Sequence, residues 1–264
     1  MGTNIWRSMV LVFDVDRSLA AIGGYAEAER LFGVPPIPVS GGFSQILHVL
    51  RGLVKKEIVE EKHPLMPEPI RTERLVLNEQ AQKLGLKAIV IDTLSIAAEQ
   101  ERESIMRERN LSVMDLQGWG IFGDRAMRFL RVLSMLPLTV ICTVHVDRAR
   151  DELGAMIDAP ALKGSSKYDS ARLFDLILYG IVQRGKEGTV WMWRTRPDGR
   201  RVLAKDRLGV LPETVPQDYR QVLPPYLERG IAPKVLVVAD SGGGKTYSLR
   251  TLPEAFKTNT KEVS

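Results

Sequence analysis

The chain has 264 residues, 44% of them hydrophobic, with 37 Lys and Arg against 32 Asp and Glu for a formal charge of +5. That is enough apolar material for one large domain or two small ones, and too balanced a charge to name a polyanionic partner by itself. The single cysteine, Cys142, excludes a disulfide framework and fits a reducing intracellular setting, while the lack of any apolar run near ~18 residues and of a basic-then-apolar leader predicts a cytoplasmic protein with no membrane partner.

In chain order, short β-branched runs alternate with longer amphipathic stretches, the pattern of βαβ units around a mostly parallel sheet. Residues 1–8 read as a leader or linker. "MVLVFDV" (9 to 15) is the first strand and brings Asp14 and Asp16 to one side, because side chains alternate along a strand. A helix pattern follows over 17–32, then a short strand "PIPV" (36 to 39) and a helix over 43–56. The charged, proline-bearing stretch 55–71 predicts a loop or inserted element, and 72–84 a further helix. "KAIVIDT" (87 to 93) is a buried strand with Asp92 near its end, and helices are predicted over 94–109 and 115–136. "LTVICTVHV" (138 to 146) gives Cys142 a packing role and leaves its apolar run at His145. A flexible segment from Asp147 to Tyr168 follows, carrying Arg148, Arg150, Lys163 and Lys167.

"LFDLILYGIV" (173 to 182) and "GTVWMWRT" (188 to 195) predict an antiparallel hairpin appended to the parallel core. "AKDR" then sets Lys205 and Arg207 at a strand end. The proline-bearing stretch 209–233 reads as a connector, after which "KVLVVA" (234 to 239) is the last strand and 246–257 the last helix. One domain is expected, with its core at 9–208 and a terminal strand and helix at 234–264.

The turn between that last strand and helix carries chemistry. A P-loop asks for Gly, four residues, then Gly-Lys-Ser/Thr; the chain offers Ala239, Asp240, Ser241, Gly242, Gly243, Gly244, Lys245 and Thr246. Consecutive glycines let backbone N–H groups converge on phosphate, Lys245 reaches the β/γ-phosphates, and Thr246 can ligate Mg²⁺. Asp92 can hold the same metal through water or cap a helix. Asp14 or Asp16 can reach the γ-phosphate edge and orient or deprotonate an attacking water, while Asp16 equally suits a cap for the helix starting near Arg17. His145 suits either γ-phosphate sensing or a structural hydrogen bond. Neither His48 nor His63 has metal-ligand spacing, so no metal beyond Mg²⁺ is expected. No Asn-Lys-x-Asp motif points to GTP.

Taken together, these four strand ends resemble the RecA-like ATPase core, and more closely the phage nucleotide-binding proteins of that group associated with single-strand annealing recombination. "ADSGGGKT" is similar to Walker A and "AIVIDTLS" to Walker B. The resemblance implies ATP and Mg²⁺ as cofactors, held by the loop from Ala239 to Thr246 and by Asp92, the latter through water. It implies catalytic roles for Asp16, which stands where RecA proteins have Glu, for Lys245, and for His145 as sensor. It also implies a DNA-binding loop over 147–168 with Arg148, Arg150, Lys163 and Lys167 on phosphates, and Lys205 and Arg207 leaning into a neighbouring subunit's nucleotide.

In that family the order is P-loop, acidic strand, Walker B, sensor strand, hairpin. Here the P-loop comes last, so the expected fold is a circularly permuted RecA-like P-loop NTPase core, α/β, with Ser264 close to Met1 or with the P-loop unit swapped into a neighbour. The implied function is ATP hydrolysis by a homo-oligomeric ring or filament on single-stranded DNA, in the host cytoplasm if phage-encoded. A packaging or ring-helicase ATPase, or an assembly module that binds nucleotide without turnover, are the alternatives.

Overall fold

In the computed structural model, which describes residues 9–62, 64–150, 154–162, 170–185 and 188–257, the short apolar runs become a nine-stranded mixed sheet. Six parallel strands run across it in the order β2 (Ile37–Pro38), β1 (Met9–Asp14), β5 (Leu86–Asp92), β6 (Thr139–Val144), β13 (Lys234–Val238) and β9 (Leu176–Gly185). Antiparallel β10 (Gly188–Arg194) and β12 (Thr214–Pro216) extend the sheet beyond β9, and β11 (Lys205–Asp206) pairs with the start of β9. The mostly parallel sheet with its appended hairpin is as expected, and the last strand to be made lies between β6 and β9.

Alternation along each strand divides the core into two layers. Leu11, Phe13, Ile89, Ile91, Cys142 and Leu236 pack beneath α2 (Gly42–Arg51), α4 (Leu94–Glu108) and α5 (Leu116–Met135). On the other face Val10, Val12, Val90, Ile141, Val235 and Val237 meet α1 (Tyr25–Phe32) and the 3₁₀ turn Ser18–Ile22. The same layer includes α6 (Tyr219–Val222) and α7 (Pro224–Leu227), which bury Tyr219, Val222 and Tyr226. The stretch 209–233, expected as a connector, is therefore part of the core. Among the described residues no helix is long and apolar enough to cross a membrane.

Several expected boundaries are corrected. Residues 72–84 are not one helix: β4 (Ile70–Leu77) pairs with β3 (Val54–Glu61), and only α3 (Glu79–Lys83) is helical, capped by Asn78 Oδ1 accepting from Ala81 N at 2.9 Å. Opposite charges face each other across this hairpin, Lys56 with Glu73 at 2.7 Å and Arg74 with Glu57 at 3.0 Å, which favours the paired strands. The helix over 43–56 accordingly stops at Arg51. Gly23 and Gly24, with φ of 97° and 84°, split the 17–32 helix. The last helix breaks into α8 (Lys245–Ser248), a 3₁₀ turn (Leu249–Thr251) and α9 (Leu252–Ala255). Within the expected loop at 147–168, β7 (Val146–Arg150) and β8 (Met156–Pro160) form a hairpin.

Candidate functional site

Because β1, β5, β6 and β13 are parallel neighbours, their C-terminal ends open on one edge of the sheet. Asp14 lies level with Asp92, and Val238 with Val144. Residues 239–244 leave β13 at that edge and turn into α8, with Gly242 and Gly244 in the left-handed region. The P-loop's missing first glycine has a counterpart across the sheet. A Cβ on Gly180 of β9 would stand only 2.6 Å from the Ala239 methyl, so a glycine on the neighbouring strand makes the room that Ala239 takes.

Four hydroxyl and carboxyl groups converge below the loop. Thr246 Oγ1 donates to Asp92 Oδ2 at 2.7 Å, Ser18 Oγ donates to the same oxygen at 2.8 Å, and the two hydroxyls lie 2.9 Å apart. The Thr143 hydroxyl donates to the other oxygen, Oδ1. Lys245 Nζ donates to the carbonyls of Ala239 and Asp240 at 2.9 and 2.8 Å and lies 3.4 Å from His145 Nδ1. Asp14 is buried and accepts from Tyr25 Oη at 2.5 Å and from Ser18 N at 3.2 Å. Half-buried Asp16 accepts from Ser18 N at 3.0 Å, the short turn cap that its sequence position allowed.

The electrostatics follow from burial. Desolvation pushes the Asp92 carboxyl up against the hydroxyl bonds that would lower it, and pushes Asp14 up as well, with Asp16 and Asp92 adding repulsion. Tyr25 is exposed, yet the desolvation of its hydroxyl and the hydrogen bond it gives to Asp14 push it up to about 12. Burial lowers Lys245 although Asp92, Asp16 and Asp240 oppose the shift. His145 is lowered by burial and then by Lys245, so it is neutral at pH 7. The site thus concentrates acidic groups around one engaged lysine, and a hard cation would relieve them. Asp92, Thr246 and Ser18 are oxygen donors of the kind Mg²⁺ takes. Among the described residues no group of three His, Cys, Asp or Glu could hold a metal ion alone, so such a cation needs further oxygens from a ligand.

Other predicted residues lie elsewhere. Lys205 Nζ donates to the carbonyls of Ala171 and Phe174 at 3.0 and 2.8 Å, and Arg207 pairs with Asp175 at 2.7 Å, both at the start of β9 and away from the P-loop end of this chain. Arg148 reaches Asp240 of the P-loop at 3.2 Å, and Arg150 donates to Gly154 O at 3.1 Å. Lys163, Lys167, Met1 and Ser264 lie outside the described residues. Sequence reasoning missed Ser18, Thr143, Tyr25 and Gln217, whose Nε2 donates to Gly243 O at 3.1 Å. Ser18, two places after Asp16, and Thr143, a hydroxyl within an apolar strand, carried a readable signal. Gln217 carried none, because only the pairing of β12 brings it to the loop.

Residues 4–208 match the family model described as an AAA domain, a stretch that ends before the P-loop strand begins. No curated protein and no solved structure matches the chain. With most of its length inside that match, and with a phosphate-loop lysine and threonine meeting a buried aspartate at the edge of a largely parallel sheet, the chain belongs to the AAA-domain family of nucleotide-binding P-loop ATPases.

Proposed function

We propose that the protein is a RecA-like, Mg²⁺-dependent ATPase in circularly permuted order, which binds single-stranded DNA and works as a homo-oligomer in phage-type recombination, annealing or repair. One observation carries the catalytic part of this reading: Thr246 meets Ser18 across 228 positions and Lys245 meets His145 across 100, so residues of three distant segments form one polar site.

Bound Mg²⁺ would offset the charge that builds on the phosphates. Thr246, and Asp92 through water, would hold it, with Ser18 hydrogen-bonded to both side chains. Lys245 moves from the carbonyls of Ala239 and Asp240 to the β/γ-phosphates. Asp16 orients the attacking water, since Asp14 is fully buried and engaged by the Tyr25 hydroxyl while Asp16 is only half-buried. Neutral His145 sits where the γ-phosphate would meet Lys245, and its main chain continues directly into β7, so its movement is transmitted to the hairpin that bears exposed Arg148 and Arg150.

The permuted reading is supported by topology. With β13 counted first, β1, β5, β6 and β9 follow it in that order, and the chain order regains that of the family: P-loop, acidic strand, Walker B, sensor, hairpin. A family match that stops short of the P-loop fits this reading.

The test is ATP turnover titrated with single-stranded DNA at several salt concentrations, alongside native mass. Mg²⁺-dependent turnover that DNA raises, with DNA affinity falling as salt rises, is expected. Lys245→Ala should abolish tight nucleotide binding, and Asp16→Asn should spare binding while slowing turnover. Binding without turnover in either condition would replace the ATPase by an assembly module.

A further inference from the structure

Beside the P-loop, on the β9 and β10 side, lies a cavity of about 590 Å³, within the usual ~300–1,000 Å³ of small-molecule sites. Its walls are Trp191 and Val190 of β10, Gln217, Gly244 and Tyr247, and no charged side chain lines it. Trp191 and Tyr247 are 46% and 60% exposed, a large aromatic surface to leave in water. On the same strand Trp193, two places on and so on the same face, is fully buried with its ring centroid 4.9 Å from that of Tyr219. The strand is thus anchored by one tryptophan and presents the other at the sheet's end. The P-loop backbone touches this wall: a Cβ on Gly244 would stand 3.5 Å from Trp191 Cδ1 and 2.4 Å from Gln217 Oε1.

We infer that this cavity is the nucleobase subsite of the nucleotide held by the P-loop, with Trp191 and Tyr247 supplying stacking faces; the inference rests on the nucleotide-binding reading above. The direction follows from the sheet order. Lys245, Thr246 and His145 turn toward β6 and β5, which sets the reactive phosphate there. The remainder of the ligand then leaves the loop toward β9 and β10, where the neutral aromatic cavity shares Gly242 and Gly244 with the phosphate site.

Two of the cavity's four polar side chains, Gln217 and Ser248, are engaged within the chain. Gln217 Nε2 donates to Gly243 O and Met192 O, and Ser248 Oγ to Lys245 O. Recognition is therefore by stacking, which every base can supply, rather than by reading a base edge. The appended β9–β10 hairpin thereby gains a role as one wall of the base site, and selection between purines is weak.

The experiment compares affinity for ATP, GTP and inorganic tripolyphosphate, each with Mg²⁺, in the parent chain, Trp191→Ala, Trp191→Phe and Lys245→Ala, with thermal denaturation to confirm folding. Trp191→Ala should weaken ATP binding by roughly 5- to 150-fold, the range of one lost base–aromatic stack, while tripolyphosphate binding stays within about twofold. Trp191→Phe should recover most of the loss, Lys245→Ala should weaken both ligands, and ATP and GTP should bind the parent within about tenfold of each other. Equal losses for ATP and tripolyphosphate in Trp191→Ala, no loss for either, or parental rejection of GTP by more than about 100-fold would each overturn the stacking subsite. A parent that binds neither ATP nor tripolyphosphate would overturn the nucleotide reading itself.

Discussion

Replacing Asp92 with Asn should make the ligand-free protein more stable while removing the Mg²⁺-dependent turnover proposed for it. Asp92 has no exposed surface, and Lys245, the nearest cation of the site, is engaged by the Ala239 and Asp240 carbonyls. Burial holds the Asp92 carboxyl above its ordinary 3.8. Below pH 3.8 the folded and unfolded chains both carry the proton and the group costs nothing. As pH rises above 3.8 the unfolded chain ionises first, so stability is lost until the folded carboxyl ionises in turn at its raised value. Asn keeps the shape, and the hydroxyls of Thr143, Thr246 and Ser18 can accept from its amide as well as donate to its oxygen. The gain should be about 1–3 kcal/mol, or a Tm increase of roughly 2–10 °C for a chain of this size. Turnover should fall by about 10²-fold or more, since a metal's contribution amounts to several kcal/mol. Thermal unfolding without nucleotide or Mg²⁺ between pH 4 and 8 should show a gap that narrows toward the acid end. A variant less stable than the parent at pH 7, or one that turns over ATP at the parental rate, would refute the reasoning.

Gly180→Ala places a methyl 2.6 Å from the Ala239 methyl and should cost about 1–3 kcal/mol in thermal denaturation, with Ala239→Gly in the same chain restoring the loss. A Gly180→Ala chain as stable as the parent would show that Ala239 needs no such room. His145 has its folded value below the ordinary 6.5, so its contribution is present above pH 6.5 and is lost as pH falls through the lowered value, where the folded ring must take a proton beside Lys245. His145→Gln should therefore flatten the dependence of Tm on pH between 5 and 7 without ligand, and parallel curves for parent and variant would contradict it. A chain reopened after Arg229, with the present ends joined, should fold and turn over ATP at the parental rate, because the exposed turn at Arg229 and Gly230 tolerates new ends. Loss of folding in that chain, with the parent intact, would argue against a cyclic relation.

The strands that build the site were legible because β1, β5, β6 and β13 are largely covered on both faces and read as near-continuous apolar runs closing on Asp14, Asp92, His145 and Ala239. Exposed elements were not legible on the same footing. "RTERLVL" carries charges at spacings that a helix or a strand could use, and only its pairing with "KKEIVEE" decides for β4. The prolines of 209–233 suggested a connector, yet Pro224 opens α7 and the residues around it are buried. At the site, the motif named the P-loop and the aspartates, while Gln217 and Trp191 enter through the sheet's lateral order, which no local pattern encodes. Lys205 shows the converse: its charge was readable and its partners, two carbonyls of its own chain, were not.

Why the P-loop strand can come last in the chain is a question of magnitudes. The residues adjacent to β13 in sequence give it no pairing partner; it hydrogen-bonds to β6 on one side and β9 on the other, so its position is set entirely by non-local contacts. Val235, Leu236, Val237 and Val238 have no exposed surface, and their burial contributes together about 6–12 kcal/mol. Against this, loop-closure entropy grows by only about 0.6 kcal/mol for each doubling of the connecting length. Moving the strand from the head of the chain to its tail changes the closure term by far less than its burial contributes. The slot between β6 and β9 is therefore filled in either order, and once β13 occupies it, Lys245 and Thr246 follow at the edge where Asp92 and Ser18 already stand.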